Sequence, residues 1–170
     1  MAGTEREPAY AEATRTIARD PKRARALRIA DVALTCCGYV AYPALLAYLA
    51  IFQRWLMPAC IIVPALCFGF ITLLRMAVSE ERPYEKGLPN VLEKDTHGKS
   101  FPSRHVASMF AIASSWLLVS EPVGLALCIA GCAMGIIRVL GGAHYPRDVI
   151  AGAVFAFAFC AIGYAIAYAL

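Results

Sequence analysis

Three clusters of polar side chains, well separated along the chain, carry the residue types that bind and cleave a phosphate ester. They are Arg75 with Arg82-Pro83, then Phe101-Pro102-Ser103-Arg104-His105, then Arg138 with His144 and Asp148. Guanidinium groups bind phosphate oxygens in pairs, an imidazole can attack phosphorus or transfer a proton, and a carboxylate can orient that imidazole. The rest of the chain is apolar, and a charged group near a bilayer is costly, so each of these residues is a functional candidate.

The composition places the chain among integral membrane proteins. Hydrophobic residues make up 60% of the 170 residues and charged residues only 16%, outside the usual range for soluble globular domains. We predict one membrane-embedded domain over residues 29–170, preceded by a basic segment over residues 1–28. The expected partners are the bilayer and a membrane lipid rather than a nucleic acid, and a homo-oligomer is compatible with the sequence.

Long uncharged runs predict an all-α fold, a polytopic membrane bundle of about five transmembrane helices. A crossing needs about 20 apolar residues at about 1.5 Å each. The predicted helices cover residues 30–52, 56–78, 104–119, 123–140 and 146–170. Short turns make neighbouring helices antiparallel, so the first cluster follows the second helix, the second opens the third helix, and the last lies between the fourth and fifth. All three clusters are therefore expected on one side of the membrane, in a pocket at its surface.

The basic segment over residues 1–28 lacks the apolar stretch and cleavage site of a signal peptide. Two interpretations are open: a helix on an anionic membrane surface, or a solvated tail. The positive-inside rule keeps the N-terminus in the cytoplasm in either case. Counting crossings then predicts an active site on the cytoplasmic face. The absence of a targeting segment and the short core indicate a multi-pass protein of the bacterial inner (plasma) membrane.

The spacing of these clusters resembles that of the type 2 phosphatidic-acid phosphatase superfamily, from about Arg75 to Gly152. That family's pattern is Lys, six residues, Arg-Pro; then Pro-Ser-Gly-His; then Ser-Arg, five residues, His, three residues, Asp. This chain keeps each spacing and departs at three positions. Arg75 stands in place of Lys, Arg104 in place of Gly, and Ile137 in place of Ser.

The resemblance implies a metal-independent lipid phosphatase without a cofactor, acting through a phosphohistidine. It assigns His144 as the nucleophile, Asp148 as the carboxylate that orients it, and His105 as the general acid and base. Phosphoryl transfer spreads negative charge over three oxygens, which fixed donors must meet. Those donors would come from Arg75, Arg82, Arg138, Ser103 and the backbone N–H groups that open the third helix. Substrates of this kind include phosphatidylglycerophosphate, phosphatidic acid, polyprenyl phosphate or diphosphate, and polyprenyl phosphosugars.

Simpler structural roles remain open for several of these residues. Ser103 could be only an N-cap, Asp148 could satisfy only first-turn N–H groups, and Arg75 or Arg138 could extend to lipid headgroups. Arg104 could line the pocket and bind a second phosphate, or turn away from it. Two other functions also remain open: a lipid phosphotransferase of the same fold, and a non-catalytic protein that binds anionic lipid.

Overall fold

A computed structural model describes residues 8–169 as an all-helical structure. The α-helices are α1 (Ala9–Arg19), α2 (Pro21–Phe52), α3 (Met57–Val78), α4 (Arg104–Leu117), α5 (Glu121–Leu140) and α6 (Pro146–Ala169), with single 3-10 turns at Arg54–Leu56 and Pro83–Lys86. Four segments of the described chain are long and apolar enough to cross a membrane, namely α2, α5, α6 and the segment Arg54–Lys86 that contains α3. The predicted polytopic helical bundle is confirmed.

The helix α4 lies at the centre of the bundle and packs against α2, α3, α5 and α6. Its 14 residues span about 21 Å, less than the roughly 30 Å of a bilayer core, and it is not among the four candidate spans. Met109 and Ala113 of this helix are almost fully buried. A glycine of α5 allows close packing here, since a Cβ at Gly131 would lie 2.8 Å from the ring of Phe110. The close packing of α4 therefore fixes the position of its first turn, which contains Arg104 and His105 of the second cluster.

The N-terminal part of the described chain is helical and packed, which corrects the interpretation as a solvated tail for residues 8–19. The helix α1 contacts both α2 and α5, with Ala11 and Thr14 buried. Asp20 caps α2, because its side chain accepts hydrogen bonds from the backbone N–H groups of Lys22 and Arg23. The helix α2 then continues without a break through residue 28, so the predicted boundary between residues 28 and 29 lies inside it.

Candidate active site

The three polar clusters meet at one end of the bundle. Arg75 lies in the last turn of α3, Ser103 precedes α4, and Arg138 lies near the end of α5. His144 lies in the α5–α6 loop, and Asp148 lies in the first turn of α6. These five residues and Arg82 are all buried, with at most 7% of their surface exposed. Burying so many charged and polar groups together is costly unless they hold one another or a ligand. The structure thus brings together residues that the sequence analysis placed on one side of the membrane.

His144 and Asp148 are joined through a third residue, Ser100. The Ser100 hydroxyl donates a hydrogen bond to Asp148 Oδ2 at 2.5 Å and lies 3.4 Å from His144 Nδ1. The direct distance from His144 Nδ1 to Asp148 Oδ2 is 3.6 Å, longer than a hydrogen bond. Ser100 is fully buried, and the sequence analysis missed it because no spacing rule distinguishes it from other loop serines. In the part of the chain that the structure describes, these contacts are all on Nδ1, and Nε2 makes no hydrogen bond.

The surroundings of His144 favour its neutral form. Burial lowers the pKa of His144 to about 4, an effect that the charges of Arg82 and Arg138 reinforce and the Asp148 carboxylate opposes. Neutral imidazole is the form that attacks an electrophile. Asp148 Oδ2 also accepts a hydrogen bond from the Tyr145 backbone N–H at 3.0 Å, so the carboxylate orients the loop as well as the site.

Two of the arginines are fixed by backbone carbonyl groups. Arg75 Nη1 donates to Pro102 O at 2.6 Å and to Ser100 O at 3.4 Å. Arg82 Nε donates to Gly98 O at 3.1 Å, and its Nη1 donates to Ala143 O at 3.4 Å. These bonds use part of each guanidinium group, which has five N–H donors. Each arginine can therefore brace a loop of the site and still offer donors to an anion.

Arg138 is held by a carboxylate from α2. Its Nε lies 2.8 Å from Asp31 Oδ1, an ion pair whose alignment is not that of a linear hydrogen bond. Asp31 Oδ2 lies 3.1 Å from the ammonium group of Lys94, in the loop before α4. The sequence analysis gave Asp31 no role, although it is the only charged residue between Ile29 and Phe52. That isolation in an apolar run was the signal that could have identified it.

Ser103 occupies the N-cap position of α4 but makes no cap hydrogen bond with its side chain. Its fully buried hydroxyl has no hydrogen-bond partner among residues 8–169, although its backbone N–H donates to Asp148 O at 2.9 Å. A Cβ at Gly152 would lie 2.6 Å from Ser103 O, so only glycine permits this approach of α6. A buried hydroxyl with an unused donor at a helix N-terminus is suited to bind an anion.

His105 and Arg104 lie where the polar site meets an apolar groove. The groove has a volume of about 560 Å³, runs between α2, α3 and α4, and is lined mainly by apolar side chains including Tyr39, Tyr42, Pro64, Phe68, Ile71 and Met109. Both His105 and Arg104 line it. The exposed Arg104 guanidinium lies over the ring of Phe68, 5.4 Å from its centre. Arg104 therefore points along the groove rather than away from it.

His105 is surrounded by positive charge. It lies in the first turn of α4, outside the four candidate spans, and burial lowers its pKa to about 3, with further lowering by Arg138, His144, Arg104 and Lys94. A bound phosphate carries the opposite charge and would raise this pKa. In the part of the chain that the structure describes, no group of three His, Cys, Asp or Glu residues is placed to hold a metal ion.

Comparisons with known proteins give a family and a fold. A family model described as the PAP2 superfamily matches residues 59–170. The chain is 33% identical over 88 residues to a lipid A 1-phosphatase of Rhizobium etli, covering 49% of this chain and 38% of that protein. It is 32% identical over 84 residues to the undecaprenyl-diphosphatase BcrC of Bacillus subtilis, covering 49% of this chain and 44% of that protein. The matched segment thus spans less than half the length of these curated relatives.

Among solved structures, the crystal structure of LpxE from Aquifex aeolicus has a similar fold. The TM-score is 0.73 at 25% sequence identity, and the match covers 95% of this chain and 98% of that chain. This match extends over nearly the whole chain, whereas the family model begins at residue 59 and so leaves out α1 and α2.

Proposed function

Because the chain belongs to the PAP2 superfamily, we propose that it is a membrane phosphatase that hydrolyses a lipid phosphate through a phosphohistidine intermediate. The observation that carries this proposal is the buried His144, whose Nδ1 is next to Ser100 and Asp148 while three buried arginines stand around it. That arrangement combines an oriented nucleophile with a cationic site for the phosphate.

In the first step, His144 Nε2 attacks phosphorus and the bond from phosphorus to the lipid oxygen breaks. His105 donates its proton to that leaving oxygen, and Arg75, Arg82 and Arg138 bind the equatorial oxygens on which charge accumulates. In the second step, water attacks the phosphohistidine while His105 accepts a proton from it. Inorganic phosphate leaves and His144 returns to its neutral form.

Two neutral donors complete the proposed phosphate site. The unpartnered Ser103 hydroxyl and the free backbone N–H groups in the first turn of α4 both lie at the positive end of a helix dipole. Ser100 would hold His144 in the correct tautomer through the Asp148 carboxylate, as a third group does for other activated nucleophiles.

The apolar groove supports a lipid as the substrate. Its volume of about 560 Å³ lies in the range of ligand pockets, about 300–1,000 Å³, and one end of it is formed by His105. A lipid chain in this groove would bring its phosphate to the arginines at the end of the bundle. The names of the relatives favour a lipid A phosphate or a polyprenyl diphosphate over phosphatidic acid or phosphatidylglycerophosphate as the first substrates to test.

We also propose that the site faces the cytoplasm of a bacterial inner membrane. The start of α2 is on the same side as the site, because Arg28 forms an ion pair with Glu93 of the loop before α4 at 2.7 Å. The basic residues near that start are Arg15, Arg19, Lys22, Arg23, Arg25 and Arg28, whereas the turn between α2 and α3 has only Arg54. The positive-inside rule then favours a cytoplasmic site. Because α6 begins at the site and crosses the membrane, its other end would then lie outside the cytoplasm. A reporter enzyme that is active only outside the cytoplasm should therefore be active when it is fused after Leu170.

The central test is phosphate release by the detergent-purified protein in EDTA. Undecaprenyl diphosphate, lipid A, phosphatidic acid and phosphatidylglycerophosphate would be compared as substrates. We expect release from at least one lipid, and a fall of at least about 1,000-fold in His144→Ala. The matched control is His97→Ala, which removes an exposed loop histidine and should retain wild-type activity.

Three outcomes would contradict the proposal: no release from any lipid, release that survives His144→Ala, or equal losses in the two histidine variants. Transfer of the phosphoryl group to an added lipid alcohol, without phosphate release, would instead indicate a phosphotransferase.

A further inference from the structure

Asp31 is the one charged residue in the long apolar part of α2, and it is buried. It lies outside the segment that the family model matches, residues 59–170, and only 2% of its surface is exposed. A lone carboxylate at such a position is costly and needs a compensating role. Its two oxygens each contact a different cation, both of which belong to the site end of the bundle.

The first cation is Arg138, a residue of the proposed phosphate site. Asp31 Oδ1 lies 2.8 Å from Arg138 Nε, and both side chains are at most 3% exposed. The guanidinium group is planar and rigid, so a carboxylate at Nε restricts the directions open to its two terminal nitrogens. Those terminal nitrogens make no hydrogen bond to any residue between 8 and 169 in the structure. They are therefore held in place and available to a ligand.

The second cation is Lys94, whose ammonium group lies 3.1 Å from Asp31 Oδ2. Asn90 holds the Lys94 backbone, because its side chain accepts from Lys94 N at 3.0 Å and donates to Lys94 O at 2.9 Å. The charge of Lys94 also reaches His105, where it contributes to the local positive charge. One carboxylate thus connects two cations that lie near the proposed general acid.

We propose that Asp31 is a positioning residue for phosphoryl transfer, which holds the Arg138 guanidinium in the orientation that binds the phosphate oxygens. This inference rests on the proposed function of Arg138 as a phosphate-binding residue. The consequence is that α2, which lies outside the family match, supplies part of the support of the site. A displacement of about 1 Å in a positioning group can cost about 100-fold in rate, so this support is catalytically important.

A purely structural role for Asp31 predicts something different, and the chain offers a matched control. Arg28 and Glu93 join the same two elements, α2 and the loop before α4, through an ion pair at 2.7 Å. Glu93 has 71% of its side chain exposed and does not contact Arg138. Glu93→Gln therefore weakens the attachment of the loop to α2 without changing the support of the phosphate site.

The experiment compares Asp31→Asn, Lys94→Met and Glu93→Gln in the same detergent. We expect kcat/KM to fall about 10- to 100-fold in Asp31→Asn, less in Lys94→Met, and less than about twofold in Glu93→Gln. In a double-mutant cycle, adding Asp31→Asn to Arg138→Ala should cause no further loss, because the group that Asp31 positions is already gone. Asp31→Glu keeps the charge and should retain more activity than Asp31→Asn. If Asp31→Asn does not fold, Asp31→Glu is the variant compared with the wild type.

A second measurement does not depend on turnover. Inorganic phosphate should raise the thermal unfolding temperature of the wild type by binding the same arginines, and the concentration needed should increase about tenfold in Asp31→Asn but not in Glu93→Gln. If the wild type releases no phosphate from lipids but inorganic phosphate binds it tenfold more tightly than Asp31→Asn, the proposed function fails while the positioning of Arg138 for phosphate binding is supported.

Three results would overturn the inference. In the first, Asp31→Asn lowers the unfolding temperature but keeps wild-type kcat/KM and phosphate affinity. In the second, Lys94→Met reproduces the full loss of activity, which assigns Asp31 to loop attachment. In the third, the effects of Asp31→Asn and Arg138→Ala multiply.

Discussion

The two ends of the helix bundle hold buried polar side chains in different ways. At the site end, the buried groups include charged side chains and are only partly satisfied, since Ser103 Oγ and Asp148 Oδ1 have no hydrogen-bond partner in the described part of the chain. At the far end, the buried side chains of Ser115 and Tyr164 are neutral and form a hydrogen bond with each other. Ser115 Oγ lies 2.5 Å from Tyr164 OH, and Ser115 also donates to Ala111 O at 2.9 Å.

This difference separates polar residues that stabilise the bundle from polar residues that await a ligand. A neutral hydrogen bond between helices contributes about 1 kcal/mol, and both partners are satisfied without a substrate. A cluster of buried cations beside unused donors is costly by itself and becomes favourable when an anion binds. We therefore expect changes at the site end to act on catalysis and changes at the far end to act on stability.

The largest expected effect in this comparison is that of Ser100→Ala. The hydroxyl donates to Asp148 Oδ2 at 2.5 Å and also lies 3.4 Å from His144 Nδ1, so its loss should lower kcat about 10- to 100-fold. The variant also removes a hydrogen bond to a buried carboxylate and should lower stability, so kcat is measured at a temperature at which the variant is fully folded. The matched control is Ser114→Ala, which removes a buried hydroxyl that donates to Phe110 O at 2.8 Å in the last turn of α4, away from the phosphate site. Equal kcat values for the two variants would contradict the role of Ser100.

The next prediction concerns pH and stability. Burial lowers the pKa of His144 to about 4, below its value of about 6.5 in an unfolded chain, so between these values the unfolded state binds more protons. The contribution of His144 to the free energy of unfolding is therefore largest above about pH 6.5 and decreases as the pH falls toward 4. At pH 5 it is lower by about 2 kcal/mol. Thermal unfolding of the wild type and of His144→Asn, at pH 7.5 and at pH 5, measures this pH-dependent loss of stability. A difference between the two proteins that does not change with pH would be inconsistent with a neutral buried His144.

At the far end, Tyr164→Phe should destabilise the protein by about 1 kcal/mol and leave kcat/KM unchanged. The variant removes the hydroxyl that lies 2.5 Å from Ser115 Oγ, far from the phosphate site, and keeps the ring that fills the core. Thermal unfolding and phosphate release measured on the same sample would separate the two quantities. A large loss of activity at full stability would show that the two ends are coupled and that the comparison is too simple.

The smallest expected effect is that of Arg104→Gly, at the boundary of the two regions. Its guanidinium lies over Phe68 beside the groove, close enough to His105 for its charge to contribute to the lowered pKa of that histidine. If it binds a second phosphate group, the variant should lose about three- to tenfold of kcat/KM on a diphosphate lipid and less on a monophosphate lipid. Arg54→Gly, which removes an exposed arginine of the turn between α2 and α3 at the other end of the bundle, is a suitable control. Equal losses on both substrates, or no loss, would exclude this role.

Helix ends that coincide with changes in composition were predicted well. The predicted span 56–78 corresponds to α3 at Met57–Val78, and 146–170 corresponds to α6 at Pro146–Ala169. The start of α2 was predicted at residue 30, but the helix begins at Pro21. Arginine, lysine and alanine are good helix formers, so the charged stretch ends the apolar run without ending the helix. The Asp20-Pro21 pair was the local signal of the true start.

The candidate site was predicted to the extent that its chemistry is local. Arg75, Arg82, Ser103, His105, Arg138, His144 and Asp148 were identified by residue type and spacing, and the structure places them at one end of the bundle. Their catalytic roles remain predictions. The contacts of Ser100 and Asp31 were not predicted, because each joins residues far apart in the sequence whose distance depends on how the helices pack.

The sequence by itself determined that the chain lies in a membrane as a helical bundle and that the candidate site residues lie on one side, but it counted about five crossings where four described segments are long enough to span. Hydrophobic runs and charge spacing are local properties, and the direction of each helix follows from them. Only the tertiary structure decided which buried charges face each other, that Ser100 stands between His144 and Asp148, and that a groove leads to His105. These contacts and the groove depend on the angles and distances at which α2, α4 and α6 pack. Side-chain volumes across the whole bundle determine those angles and distances.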